Sequence, residues 1–322
     1  MRAAVTGGSG VVGGPVIRHL VEAGHEVVAL ARTETAGQRV AGLGAQPSRG
    51  DVLDPESLRA FVAGADWVFH VAGVNEMCPA DRRLMTRVNV EGTRHVADAC
   101  HRKGVGRLIH TSSAVTLGEA AGETGNESTS HRGRYRSLYE ESKVLAEREL
   151  VRAGDVEVVV VNPSSVQGPG RSTGTGRLVI DVLDGRLPFL VDSTFSIVDI
   201  DDCARGHLLA AERGEPGERY VLSGATLTIR EALHRVAAVT GALPKVRYLP
   251  SSVALIGGTL VELVYRLGRR RPPVCREMVS ILRAGAAYDG SRATRELGLQ
   301  YRPFDETIRR MVDWFRAQGL VG

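Results

Sequence analysis

The chain has 322 residues, 43% hydrophobic and 24% charged, which is enough to bury one large domain with a smaller companion and excludes a disordered polymer. With 41 basic against 37 acidic residues the formal charge is only +4, and the basic residues are scattered apart from Arg269, Arg270 and Arg271. A nucleic-acid footprint is therefore not expected, and the triplet reads as solvated surface.

In chain order, Ala3 to Thr6 reads as a buried strand that runs straight into Thr6-Gly7-Gly8-Ser9-Gly10-Val11-Val12-Gly13. An amphipathic helix is predicted from Val11 to Ala23, stopped by Gly24. Glycines at i, i+3 and i+6 between a strand and a helix allow a tight turn. They also let the backbone approach a pyrophosphate, whose charge meets free N–H groups at the helix start. A dinucleotide site is expected there, formed by Gly7, Ser9, Gly10, Val11, Val12 and Gly13. The second strand, Glu26 to Ala31, ends at Arg32. An acid at that point would hold ribose hydroxyls, whereas a guanidinium suits a 2′-phosphate, so NADP is expected, with NAD the other possibility. Asp51 and Val52 follow a third strand, where Asp51 can accept from an adenine amino group. The fourth strand, Ala65 to Ala72, ends in His70-Val71-Ala72-Gly73, and the small residues leave room for a cofactor.

Further strands are predicted at Arg107 to Ser112 and Val156 to Asn162, with helices over Val90 to Arg102 and Leu138 to Arg152. Runs such as Val158-Val159-Val160-Val161 suit strands buried on both faces. The alternation predicts an α/β protein with a doubly wound parallel sheet. Beyond residue 163 the pattern loosens into a Gly-, Pro- and Ser-rich loop from Ser164 to Gly176. Residues 1–163 and 195–223 are assigned to the cofactor domain, and 164–194 with 224–322 to a smaller, discontinuous substrate lobe. Val253 to Leu267 is interrupted by Gly257, Gly258 and Glu262 and falls short of the roughly 20 apolar residues of a membrane span. It is read as a packed helix before a basic loop, the other reading being a helix lying on a membrane surface. The final helix, Asp305 to Gln318, aligns Ile308, Met311, Val312 and Phe315 on one packing face.

Cys78, Cys100, Cys203 and Cys275 stand far apart in no metal-ligand spacing, so neither a metal site nor a disulfide is expected. A reducing cytoplasm fits this, as does the absence of an uninterrupted apolar signal core near Met1.

The strand ending Thr111-Ser112-Ser113 and the helix carrying Tyr139 and Lys143 form a candidate proton-transfer set. Residues i and i+4 share a helix face, so the Lys143 ammonium is expected beside the Tyr139 phenol, lowering its pKa from about 10 toward neutrality. Ser113 would hydrogen-bond the same substrate oxygen. Alternating side chains along a strand point only one of Ser112 and Ser113 into the site. Ser113 is preferred because Ser113-Ala114-Val115-Thr116-Leu117-Gly118 resembles the segment that follows the catalytic serine in extended short-chain dehydrogenases.

These motifs together resemble the extended short-chain dehydrogenase/reductase family, also known as the NAD-dependent epimerase/dehydratase family. Asn89-Val90-Glu91-Gly92-Thr93 is similar to its Asn-x-x-Gly-Thr helix start, where the asparagine supports the active site. Asn162-Pro163-Ser164-Ser165-Val166-Gln167-Gly168-Pro169-Gly170 is similar to the segment passing the nicotinamide, and Ile200-Asp201-Asp202-Cys203 and Gly217-Glu218-Arg219-Tyr220 match further recurrent positions. The resemblance implies a Rossmann-type fold and a catalytic set of Ser113, Tyr139, Lys143 and Asn89. It further implies cofactor contacts from Arg32, Asp51, Val52, Val71, Ala72, Gly73, Thr111, Tyr139, Lys143, Asn162, Pro163, Ser165 and Val166, and a homodimer. His70, His110 and His207 read as structural.

The same triad serves several reactions. Ala114 and Val115 stand where dehydratases of the family carry an Asp-Glu pair, which disfavours dehydration. Phe195 aligns with an arginine that sugar-nucleotide enzymes use for a substrate diphosphate. Carbonyl–alcohol interconversion on a small lipophilic substrate is therefore expected, as in dihydroflavonol-reductase-like and hydroxysteroid-dehydrogenase-like members. Thr175-Gly176-Arg177, Asp184-Gly185-Arg186-Leu187-Pro188 and Gly206-His207-Leu208-Leu209-Ala210 are instead similar to hopanoid-associated sugar epimerases. Sugar or sugar-nucleotide epimerisation, with Arg171 and Arg177 as phosphate ligands, is the alternative. A non-catalytic NADP-binding redox sensor is disfavoured because both Tyr139 and Lys143 are present.

Overall fold

The computed structural model describes residues 1–321 except 80, 187–188, 242–245, 269 and 271. Two arginines of the basic triplet, Arg269 and Arg271, and Leu187-Pro188 of the epimerase-like motif thus lie outside the described residues.

Seven parallel strands form the central sheet, in the spatial order Gln46–Arg49, Glu26–Ala31, Arg2–Thr6, Trp67–His70, Arg107–Thr111, Glu157–Pro163 and Arg219–Leu222. Successive side chains feed opposite cores. Ala3 and Val5 join one with Ile17, Leu20, Val159 and Val161, while Ala4 joins the other with Leu108, Val160, Leu58 and Val96. That two-sided burial is why the strands read as continuous apolar runs. Strand order reverses between Arg2–Thr6 and Trp67–His70, which are paired in register Thr6↔His70. A crevice therefore opens beyond their carboxyl ends, where a doubly wound sheet binds its ligand.

Trp67–His70 is shorter than predicted because the first strand turns away at Gly7. The ladder ends there, and Ala72 N–H donates to Thr6 Oγ1 (3.2 Å) instead. The helix expected from Val90 begins as a π-helical turn, Arg87–Glu91, and continues as Gly92–Lys103. Leu138–Glu149 is capped by Ser137, whose hydroxyl accepts from Glu140 N–H at 3.0 Å.

The smaller sheet takes Thr194–Asp199 as its middle strand, between Ala225–Thr228 and Ser165–Gln167. That middle strand runs into helix Ile200–Arg213, which packs on Gly13–Glu22. Helix Phe304–Ala317 buries Ile308, Met311, Val312 and Phe315 as its periodicity requires. It is tied to Ile200–Arg213 by Asp199, whose buried carboxylate caps that helix, accepts from Thr307 (2.9 Å) and pairs with Arg302 (3.3 Å) and Arg310 (3.0 Å). Asp199, which immediately precedes the recurrent Ile200-Asp201-Asp202 segment, thus clamps the two helices together.

Two expectations are corrected. Cys78 and Cys275, 197 residues apart, form a disulfide, because the loop after the fourth strand meets the N-terminus of helix Arg276–Ala284. Their pairing removes the cysteine argument for a reducing compartment; Cys100 and Cys203 are free and buried. Helix Ser251–Leu267 is packed on one side only. Gly258 is its single buried residue, and its apolar outer residues face solvent. No helix among the described residues is long and apolar enough to cross a membrane.

Candidate active site

The glycine turn is closed by Gly10 N–H donating to Gly7 O (2.9 Å), and Gly7 has φ +71°. A Cβ on Gly7 would lie 2.6 Å from Ala72 N, and one on Gly13 only 2.2 Å from Gly7 O. Backbone thus approaches backbone with no room for side chains, which leaves N–H groups at the start of helix Gly13–Glu22 open to an anion. Val11 and Val12 turn inward onto the core, and Ser9 O accepts from Arg39 Nη1 at 3.2 Å. Arg32 is exposed and 3.9 Å from Asp51, whose other oxygen accepts from Leu53 N–H (3.0 Å). Val52 is buried against Gly92. Arg39, not singled out by sequence reasoning, thus brings a guanidinium to the glycine turn. Its clue was a basic residue one helix after Arg32. The glycine turn and the open N–H groups at the helix start fit a dinucleotide.

Val71, Ala72 and Gly73 follow directly on the carboxyl end of strand Trp67–His70. Beneath them runs a buried chain of hydrogen bonds: Thr6 Oγ1 to His70 Nδ1 (2.8 Å), His70 Nε2 to Thr93 Oγ1 (3.0 Å), and Thr93 hydroxyl to Asn89 O (2.6 Å). The π-helical turn orients Asn89 so that its Oδ1 accepts from Val74 N–H (2.7 Å) and its Nδ2 donates to Val74 O and to Ser142 Oγ (2.9 Å each). Asn89 therefore fastens the Gly73–Val74 loop to the helix bearing Tyr139 and Lys143. Burial holds His70 and His207 neutral, their pKa values lowered to about 3 and about 4, and pushes His110 down as well. None of the three is poised to exchange a proton near neutral pH.

The hydroxyls of Ser112 and Ser113 diverge as strand alternation predicts. Ser112 donates to Glu147, while Ser113 hydrogen-bonds the Tyr139 phenol. Lys143 is buried, with Nζ donating to Thr111 O at 2.7 Å, and a Cβ on Gly73 would stand 3.4 Å from that nitrogen. Desolvation lowers the Lys143 pKa from 10.5 to about 8, opposed by Glu147. The phenol departs from expectation. Burial raises its pKa, outweighing the Ser113 hydrogen bond and the Arg171 charge, and the Lys143 ammonium is turned toward the Thr111 carbonyl.

Asn162 is fully buried. Its Nδ2 donates to Ser113 O (3.2 Å), Thr116 Oγ1 (3.0 Å) and Glu147 Oε1 (3.1 Å), so its side chain supports the Ser113 backbone. Glu147 also pairs with Arg219 (3.0 Å) and is the hub of this network, another residue that local pattern did not reveal. Pro163 ends its central strand. Val166 enters the core, and the Ser165 hydroxyl accepts from Gln167 Nε2 (3.0 Å). Arg171 is half-buried near the phenol, its Nε without a hydrogen-bond partner among the described residues. Arg177 is by contrast exposed and paired with Asp181 (2.9 Å). Phe195 packs with Ile197, Ala232 and Phe304 in an apolar cluster separate from those of the central sheet.

Residues 3–223 match the NAD dependent epimerase/dehydratase family. The chain is 30% identical over 330 residues to sterol demethylase protein B of Methylococcus capsulatus, covering all of both chains. It is also 30% identical over 338 residues to a 3-beta-hydroxysteroid dehydrogenase of Mycolicibacterium neoaurum, covering 97% of this chain and 90% of that one. The crystal structure of gox2253 superposes with a TM-score of 0.86 at 32% identity over 99% of each chain. A nucleoside-diphosphate-sugar epimerase from Pseudomonas aeruginosa does so with 0.80 at 27%, over 100% of this chain and 99% of that one. With its seven-stranded parallel sheet, glycine turn and Ser-Tyr-Lys grouping, the chain belongs to the NAD-dependent epimerase/dehydratase family, the extended short-chain dehydrogenase/reductases, and is an NAD(P)-dependent enzyme.

Proposed function

We propose that the protein interconverts a carbonyl and an alcohol on a small lipophilic substrate, using NADP(H). The observation that carries this reading is the Ser113–Tyr139 hydrogen bond at the crevice, with Lys143 buried on the same helix. The nicotinamide, when bound, supplies or accepts the hydride and in its oxidised form adds a positive charge. The chain supplies the rest. Ser113 donates to the substrate oxygen and fixes it, Tyr139 Oη gives that oxygen a proton in reduction or takes it in oxidation, and Lys143 stabilises the resulting phenolate. Asn89 and Asn162 are positioning residues, one for the helix of Tyr139 and Lys143, the other for the Ser113 backbone. Gly7, Ser9, Gly10 and Gly13 hold the pyrophosphate, and Arg32 and Arg39 meet the 2′-phosphate.

Residues 1–163 and 195–223 form the cofactor half in this reading, and 164–194 with 224–322 the substrate half. Apolar Phe195 and ion-paired Arg177 leave Arg171, among the described residues, as the guanidinium whose charge acts on the phenol, poor provision for a sugar diphosphate. Relatives named for sterol, hydroxysteroid and 2-alkyl-3-oxoalkanoate chemistry support the lipophilic class. A homodimer and a cytoplasmic location belong to the same reading, though the Cys78–Cys275 disulfide weighs against the second.

The test is binding of NADPH and NADH by fluorescence, followed by turnover of sterol ketones, 3-oxo acids and UDP-sugars, for wild type and Arg32→Ala. Tighter NADPH binding that Arg32→Ala abolishes, with NADPH consumption on the lipophilic ketones, is the expected result. Equal binding of NADH refutes the NADP assignment. Conversion of UDP-sugars without net cofactor consumption refutes the reductase.

A further inference from the structure

Helix Ser251–Leu267 turns its inner side to helix Arg276–Ala284, where a Cβ on Gly258 would stand 3.0 Å from Val279. On its outer side Val253, Ile256, Leu260, Leu263, Val264 and Leu267 are 52%, 65%, 59%, 56%, 65% and 77% exposed. Their spacing keeps them on one stripe, roughly 20 Å long at the rise of an α-helix. Contiguous apolar surface of this kind marks an interaction site.

The sequence around the stripe is predominantly basic. Between residues 246 and 277 the sequence holds Arg247, Arg266, Arg269, Arg270, Arg271 and Arg276 but only two acids, Glu262 and Glu277. Glu262 is engaged by Arg266 (2.7 Å) and by the Arg276 N–H (2.9 Å), and Glu277 accepts from Leu138 N–H (2.9 Å). A second copy laid antiparallel would set the arginine-rich end against residues 246–261, which contain no acid, and one laid parallel would oppose arginine to arginine. Neither gives complementary charge.

We propose that this face docks on the surface of a bilayer containing anionic lipids. The apolar stripe sinks to the boundary of the acyl chains, and Arg266 and Arg270 at its C-terminal end meet lipid phosphates. The helix lies in the interface and does not span. This inference stands apart from the proposed reaction, since it rests on a surface that holds none of the proton-transfer residues.

The experiment is flotation of the full chain with vesicles of phosphatidylcholine alone and of phosphatidylcholine with phosphatidylglycerol at 1:1, alongside sedimentation velocity without lipid. The chain is expected to float with the anionic vesicles at least tenfold more readily than with the neutral ones. Leu260→Glu/Leu263→Glu is expected to abolish flotation while keeping its melting temperature and cofactor binding. Arg270→Ala is expected to weaken flotation about fivefold, the value of one arginine at an anionic surface. Failure to float with either vesicle overturns the proposal. So does a dimer in solution that Leu260→Glu/Leu263→Glu dissociates, which would make the face an interface between copies.

Discussion

Lys143 is predicted to lower the stability of the fold that holds it. Burial brings its pKa from 10.5 to about 8, and each pKa unit corresponds to about 1.4 kcal/mol between protonation states, so the ammonium costs about 3 kcal/mol wherever it stays protonated. The unfolded chain keeps the proton up to 10.5 and the folded chain releases it near 8. Between these values the unfolded state binds more protons and stability rises with pH, whereas below 8 the whole cost is present. Lys143→Met removes the charge at similar volume and forfeits the hydrogen bond to Thr111 O, worth about 1 kcal/mol. The cofactor-free variant is therefore expected to be about 2 kcal/mol more stable than wild type at pH 7. That advantage should shrink to nothing or reverse as pH approaches 10.5, while turnover falls by about 10²–10⁴-fold. Urea unfolding followed by circular dichroism at pH 7, 8, 9 and 10 measures it. A variant less stable than wild type at pH 7, or an advantage that does not change with pH, refutes the reasoning.

Tyr139→Phe is expected to reduce turnover by about 10²–10⁴-fold with cofactor affinity unchanged, read by steady-state kinetics beside a fluorescence titration. Gly13→Ala places a Cβ only 2.2 Å from Gly7 O and forces the turn apart, so cofactor affinity should drop at least tenfold and the melting temperature should fall as well; calorimetric titration and thermal unfolding measure the two, and unchanged affinity would refute the role of the turn. Asp199→Ala removes a helix cap and the shared partner of Arg302 and Arg310, and should cost about 3 kcal/mol in denaturant unfolding. Cys78→Ser opens a closed loop of 197 residues and should cost about 2–4 kcal/mol under oxidising conditions and nothing in reductant; an equal loss in both would mean that packing, not the crosslink, is responsible.

The sequence by itself determined what is written in neighbouring residues. Strand periods, glycine stops and the turn at Gly7, Gly10 and Gly13 arise from local backbone sterics, so five of the central strands and the helix of Tyr139 and Lys143 were legible to within a few residues. Alternation along a single strand required the hydroxyls of Ser112 and Ser113 to diverge, as they do, while the choice of Ser113 came from the resemblance of the segment that follows it. Tertiary structure alone decided whatever depends on which distant segments meet. Cys78 finds Cys275 across 197 residues, Glu147 gathers Ser112, Thr116, Asn162 and Arg219, and Arg39 folds back onto Ser9. The same holds for energies that depend on burial. The i+4 spacing placed Lys143 one turn from Tyr139, but depth in the fold raised the phenol's pKa and turned the ammonium toward Thr111. Whether the apolar residues of Ser251–Leu267 would be covered was likewise open, because a helical period defines a face and only the packing of the other elements determines what lies against it.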